Sequence, residues 1–189
     1  MHKTFYHASN LGNLKELLPL SNLHGGEGKV CYLTPFRAYA LFYLRDMDIN
    51  HVTCSVSANG IVTYHEEFQN QLQTIYGGRA GYLYTCENTG QITERHTKGA
   101  WAASEPVAVA TVEHIEDVYA EILKAQDRGE VKVISYESLS AEAKVEIIEK
   151  WKGIIISRNF WNNNTPKARF IAQNFAESWR AAVAEGQSQ

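Results

Sequence analysis

The feature that most constrains this chain is a series of short apolar runs that alternate with polar residues and stop within a few positions at glycine, proline or asparagine. Alternation with a period of two puts successive side chains on opposite faces of a strand. The clearest run, Pro106–His114, reads VAVATVEH after its proline. Lys3–His7, Lys29–Leu33, His51–Ser57, Ile61–His65, Ala80–Cys86 and Val131–Tyr136 read as further strands. Ala58-Asn59-Gly60 is a turn between two of them. A short strand near Gln91–Arg95 interrupts the polar loop over 87–100.

Helical signals fall between the strands. Asn10 or Asn13 caps a short helix through Leu17 and Leu18, stopped by Pro19. Residues 21–28 are a loop. Thr34-Pro35, a cap followed by proline at the first helical position, opens a helix over Pro35–Asp46. Glu67–Tyr76 ends at Gly77-Gly78. Glu116–Arg128 has an acidic start, a basic end and Gly129 as its stop. Ser140–Trp151 begins on a serine cap. After a loop at Asn159–Asn164, Thr165-Pro166 opens a helix through Ala184, and Glu185–Gln189 is expected to be a disordered tail. About seven strands mixed with about six helices predict an α+β domain.

Composition narrows the class. The chain has 189 residues, 44% apolar and 21% charged. A chain of that length buries roughly 70% of the surface its unfolded form exposes, so it needs neither disulfide nor metal to hold a core. Cys31, Cys54 and Cys86 are odd in number and far apart, which argues against a zinc knuckle or a redox pair. They read as buried thiols in a reducing cytoplasm. A net charge of -3 gives no strong nucleic-acid signal. The first residues lack the apolar core of a signal peptide, and the run at 154–157 is far short of the ~20 residues of a membrane span. No membrane partner is expected.

Dinucleotide, phosphate-loop, metalloprotease and nucleophile-elbow motifs are absent from the sequence. Gly77-Gly78-Arg79-Ala80-Gly81 could form an anion-binding turn, but reads more simply as a helix stop and strand start. His65-Glu66-Glu67 lacks a partner at metal-site spacing and reads as a solvated strand end. Tyr82, Tyr84 and Trp101 read as core or wall aromatics. Arg37, one turn into its helix, could meet a pyrophosphate or simply lie on the surface.

One ordered set stands apart. His7 ends the first strand in Phe5-Tyr6-His7-Ala8-Ser9. Tyr32 lies in the next, in Val30-Cys31-Tyr32-Leu33-Thr34, and the following helix carries Tyr39 and Tyr43. Much later, Ser104-Glu105-Pro106-Val107 places a carboxylate at the mouth of a strand. This order resembles the ADP-ribosyltransferase superfamily, in its His–Tyr–Glu branch, which includes diphtheria-toxin-like and poly(ADP-ribose)-polymerase-like enzymes. There a first strand ends in His-Gly-Ser/Thr, matched by His7-Ala8-Ser9 with alanine in place of glycine. A strand tyrosine and a helix tyrosine eleven residues later are matched by Tyr32 and Tyr43. A glutamate opening a later strand is matched by Glu105, with Pro106 directly after it.

The resemblance covers about residues 3–136. It implies a split β-sandwich of two small, mostly antiparallel sheets with flanking helices around an NAD cleft, as a domain over 1–136. Residues 137–189 are then a helical C-terminal extension packed on the same domain. It implies NAD as substrate, no metal, and transfer of ADP-ribose to an unknown acceptor that could be a protein, a nucleic acid or a small molecule. His7, Ala8, Ser9, Tyr32 and Tyr43 would bind NAD, with the nicotinamide held between the two tyrosines. Glu105, with His7 and Tyr32, would carry the chemistry by stabilising the positive charge that builds on the ribose. The same residues allow a second reading: an inactive or weakly active module of this fold that binds NAD, ADP-ribose or a protein. RNA 2′-phosphotransfer is a further reading, for which the chain lacks an obvious basic cluster. A protein that docks a partner through the helix at 165–184 is the last.

Overall fold

The computed structural model of the chain describes residues 3–95 and 99–186. Residues 96–98 of the expected loop and 187–189 of the expected tail lie outside them. Helices and small antiparallel sheets occur together, so the fold is α+β. The strands are β1 (Thr4–Ser9), β2 (Glu16–Leu17), β3 (Ser21–Asn22), β4 (Lys29–Leu33), β5 (Thr53–Val56), β6 (Val62–His65), β7 (Gly81–Glu87), β8 (Thr93–Glu94), β9 (Trp101–Ala103), β10 (Val107–Ala108), β11 (Thr111–Ile115) and β12 (Val131–Ile134). The helices are α1 (Arg37–Leu41), α2 (Gln71–Tyr76), α3 (Val118–Asp127), α4 (Ala141–Ser157), α5 (Pro166–Asn174) and α6 (Ala176–Gly186). One sheet has the order β12–β6–β5.

The chain forms two compact units. Of the described residues, the first comprises 3–45, 54–64, 76–95 and 99–132, and the second 46–53, 65–75 and 133–186. The expected division after residue 136 lies close to the last crossing, but the second unit also takes two inner segments of the chain.

In the first unit, β7 is the middle strand of the sheet β1–β7–β11, antiparallel to both neighbours. A second sheet has the order β3–β4–β9–β8. The two inner faces meet over Phe5, Cys31, Leu33, Cys86 and Ala103, all nearly or fully buried. Burying one large apolar side chain of this kind contributes roughly 1.5–3 kcal/mol. Strands β1 and β4 approach at a single bridge, Tyr6 with Thr34, closed by N–H···O bonds of 2.7 and 3.0 Å.

Several sequence expectations change here. The segment 10–18 is not a helix. Asn13 has φ of 60°, a left-handed conformation that interrupts a right-handed helix. Glu16–Leu17 instead pairs with Val107–Ala108 and sinks Leu17 beside Val107 in the core. Pro106–His114 is not one strand but two. It changes partner at Val109–Ala110, whose N–H groups donate to Lys15 and Thr85, so β10 joins β2 and β11 joins β7. Alternation survives such a switch, which is why the run reads as continuous. The helix expected from Pro35 starts at Arg37, because Phe36 is extended and its N–H is held by the Thr34 hydroxyl. Trp101–Ala103, unassigned from sequence, is the direct partner of β4.

The second unit is mainly helical. Ser140 caps α4 and Thr165 caps α5 by accepting the N–H groups of Ala143 and Ala168, with Pro166 in the first turn. The helix expected through Ala184 is broken at Phe175, which leaves helical geometry at φ -118°, ψ 49°. Its ring stacks on Trp151 at 3.9 Å and meets Phe68 edge-on at 5.2 Å. Aromatic burial there outweighs one turn of helix.

Gly60 and Gly78 separate two costs of a side chain. Both have positive φ, but a Cβ on Gly60 would collide with the Phe36 ring, whereas one on Gly78 meets open space. Gly78→Ala is expected to lose only the left-handed penalty of about 1–2 kcal/mol. Gly60→Ala is expected to lose clearly more. Urea unfolding of the two variants against wild type checks this.

Candidate functional site

The site is built on the edge where β1 leaves β4. In an antiparallel strand, alternate residues direct both backbone groups toward the same neighbour. Tyr6 bonds Thr34 of the β4 segment through both its N–H and its C=O. Ala8, two residues on, therefore turns its N–H and C=O to the same side. Among the described residues no backbone hydrogen bond ties Ala8 to β4. The edge thus presents a free donor and acceptor at Ala8, while its methyl group lies on the face opposite His7.

His7 occupies the place of the missing ladder bond. Its Nδ1 lies 2.8 Å from the Tyr32 carbonyl oxygen. A carbonyl only accepts, so Nδ1 carries the proton and Nε2 keeps its lone pair. Burial pushes the His7 pKa below its ordinary 6.5, and the bond to Tyr32 offsets part of that shift. The ring is thereby neutral, oriented and able to accept from a hydroxyl. Cys31 lies beside it, Sγ 3.9 Å from Nδ1. Burial pushes that thiol up to about 12, with Cys86 adding to the shift, so the pair is not a thiolate–imidazolium nucleophile.

Tyr32 and Tyr43 are each fixed through their hydroxyls, by different partners. The Tyr32 hydroxyl accepts from the His24 N–H at 2.7 Å and donates to the Asn22 carbonyl at 3.3 Å, fastening the 22–24 turn to β4. The Tyr43 hydroxyl donates to that of Tyr39 at 3.3 Å, and the two rings meet edge-on at 5.6 Å. Burial raises the Tyr43 phenol above its ordinary value, and among the smaller influences is Tyr32 itself. The turn that carries Tyr43 is locked from behind. Arg45 lies 3.7 Å over the Phe42 ring and donates to the Phe42 carbonyl, which also accepts from the Tyr76 hydroxyl at 2.9 Å. Arg45 and Tyr76 are the supports that sequence reading missed. Neither stands in a motif, and only the tertiary approach to Phe42 gives them a role.

Ser9 pairs across β7 with Tyr82, and its hydroxyl accepts from the Leu11 N–H at 3.1 Å, shaping the chain as it leaves β1. Glu105 is different. It stands in the bend between β9 and β10, exposed, two residues beyond Ala103, the partner of Cys31. Among the described residues it has no hydrogen-bond or ion-pair partner. The structure thus joins His7 to Tyr32 directly, sets Tyr43 against Tyr39 and Phe42, and leaves Glu105 just beyond the strand that pairs with β4.

Other candidates resolve structurally. Arg37 is already engaged, donating to Glu121 at 2.8 Å and Glu113 at 2.7 Å, so its guanidinium is not open to a pyrophosphate. In the Gly77–Gly81 turn, the Gly78 N–H is taken by the Asp117 carboxylate at 3.0 Å, an anion supplied by the chain itself. Tyr84 is fully buried, Trp101 packs on Phe5 at 4.9 Å, and Tyr82 faces His114 at the same separation. His65-Glu66-Glu67 is not a solvated strand end: both glutamates are buried. Among the described residues no cluster of three or more His, Cys, Asp or Glu side chains is placed to hold a metal, and no helix is long and apolar enough to cross a membrane.

No protein-family model, curated protein or solved structure matches this chain.

The lowered His7 pKa fixes a pH dependence. The unfolded chain binds the His7 proton more readily, so this group's contribution is fully present above pH 6.5 and is lost as pH falls from there toward the folded value. Denaturant midpoints for wild type should therefore fall across that interval. His7→Gln, which keeps a donor for Tyr32, should show a flatter profile over the same range.

Proposed function

We propose that the chain binds NAD along the edge between β1 and β4 and transfers its ADP-ribose to an acceptor, releasing nicotinamide. The observation that carries this reading is the pair of features at one edge: a His7 Nε2 left free by the Nδ1 bond to Tyr32, and an unpaired peptide donor and acceptor at Ala8. A carboxamide needs one donor and one acceptor side by side, which the Ala8 backbone offers. A ribose hydroxyl needs an acceptor, which His7 offers. Tyr32 and Tyr43 supply aromatic faces for the nicotinamide ring.

In the proposed reaction the bond between the ribose anomeric carbon and the nicotinamide nitrogen breaks. Its electron pair leaves on nicotinamide. The acceptor's nucleophilic atom then bonds to that carbon and gives up its proton. Glu105, ionised, would accept from the ribose 2′-hydroxyl and stabilise the cation as it forms. The three free thiols support a reducing compartment such as the cytoplasm.

A specific observation favours the second reading as well. Glu105 is exposed and held by no neighbour among the described residues, and a catalytic carboxylate works best when it is oriented beforehand. Nicotinamide release from labelled NAD separates the two. Turnover supports the transferase; protection of the fold by NAD without release supports a binding module.

Glu105→Gln should lower release by about 100- to 1,000-fold and leave NAD affinity nearly unchanged. Equal turnover would remove Glu105 from the mechanism. Tyr32→Ala should weaken NAD about tenfold, and Tyr32→Phe much less, because the ring face is what stacks. Calorimetry that finds no loss in Tyr32→Ala would place the nucleotide elsewhere.

A further inference from the structure

The second unit contains a cavity of about 510 Å³ that shares no residue with the proposed nucleotide site. That size falls in the range of small-molecule sites, roughly 300–1,000 Å³. One wall is a single face of α4, with Ala143, Ile147 and Lys150 at helical spacing and Glu146 at the rim. Leu139 extends the apolar part. Thr53, His65, Glu66 and Glu67 form the other wall.

We propose that this cavity binds a small organic cation, an amine carried on an apolar body. The charges on its walls decide the sign. Lys150 is already engaged: its ammonium donates to Glu67 Oε1 at 2.6 Å. Glu67 also accepts from the Thr53 hydroxyl at 2.8 Å and the Trp151 indole at 2.7 Å. Burial alone would raise the Glu67 carboxyl, but these donors, Lys150 foremost, hold it below the ordinary carboxylate value. The pair is neutral as a unit, so Lys150 brings no unbalanced positive charge to the cavity.

Glu66 is not balanced in this way. It is 8% exposed, and among the described residues its oxygens accept two backbone N–H groups, from Leu72 at 3.0 Å and Tyr136 at 3.4 Å. A carboxylate offers about four lone-pair positions, so capacity remains. Among the described residues no cation lies within 4.0 Å of it. A buried carboxylate without a counter-charge is costly, and a cation entering from the cavity relieves that cost. Glu146 at the rim adds a second negative charge. A bare metal ion fits less well, since no group of three ligating side chains is assembled among the described residues. Leu139, Ala143 and Ile147 suit the hydrocarbon part of an amine.

The test uses the full chain in titration calorimetry with phenethylamine and n-hexylamine as probes. Their neutral and anionic counterparts are 2-phenylethanol and 3-phenylpropionate. Both amines should bind, the alcohol about tenfold or more weaker, and the carboxylate least. Glu66→Gln should weaken the amines by a similar factor without affecting the alcohol. Ile147→Trp, which fills the cavity from a half-buried position, should abolish binding while circular dichroism shows the fold intact. The proposal is overturned by absence of amine binding up to millimolar concentration, by equal affinity for amine and alcohol, or by amine binding that persists in Ile147→Trp.

Discussion

Strand β1 has two neighbours and can satisfy only one of them along its length. It keeps β7 through six paired residues and keeps β4 through one bridge at Tyr6 and Thr34. Strands twist relative to their neighbours, and two sheets that share a core cannot both follow the same strand indefinitely. The imidazole of His7 spans the gap where the ladder stops and takes the Tyr32 carbonyl that Ala8 would otherwise have bonded. From that one substitution follow the tautomer of His7, the free peptide groups of Ala8 and the position of Tyr32. A polar edge left open inside a folded unit is expensive unless water or a ligand completes it.

The surroundings of that edge are arranged to stay uncharged. Burial depresses the His7 imidazole and raises the thiols of Cys31 and Cys54, each to about 12. The same cause raises the phenols of Tyr39, Tyr43 and Tyr64. Arg45 is the buried exception, and it is tolerated because its face lies on the Phe42 ring and it donates to a carbonyl. Its Nε and the Tyr64 hydroxyl are buried without partners among the described residues. The result is a region whose polar groups act as dipoles rather than charges, with Glu105 the exposed carboxylate of the candidate set.

The second unit manages charge differently. It buries acids and satisfies them one by one, Glu67 with three side-chain donors and Glu66 with two peptide groups. Gln71, fully buried, links the Glu67 N–H to the His51 carbonyl. Removing one partner from such a network leaves an uncompensated charge and typically costs about 3–5 kcal/mol. The network therefore fixes one arrangement of α4 over the segment 65–75, and the cavity is what remains beside it.

Local signals sufficed where the cause was local. The strand runs of β4 and β7, the turn at Ala58–Gly60 and the caps at Ser140 and Thr165 all rest on residues within a few positions of one another, and each could be read along the chain. His7, Tyr32 and Tyr43 stood out only by their order along the chain and the resemblance it carries, and Tyr43, expected on the helix, lies in the turn after α1. What escaped was decided by distant partners. Leu17 became a strand residue because Val107 was available to bury it. One alternating run became two strands because it met β2 and then β7. Arg37 was taken by Glu113 and Glu121, and a helix broke so that Phe175 could reach Trp151. A period of two or 3.6 describes a residue's own backbone; which surface that backbone meets depends on loop closure and packing across the whole unit, and no window of the sequence contains that information.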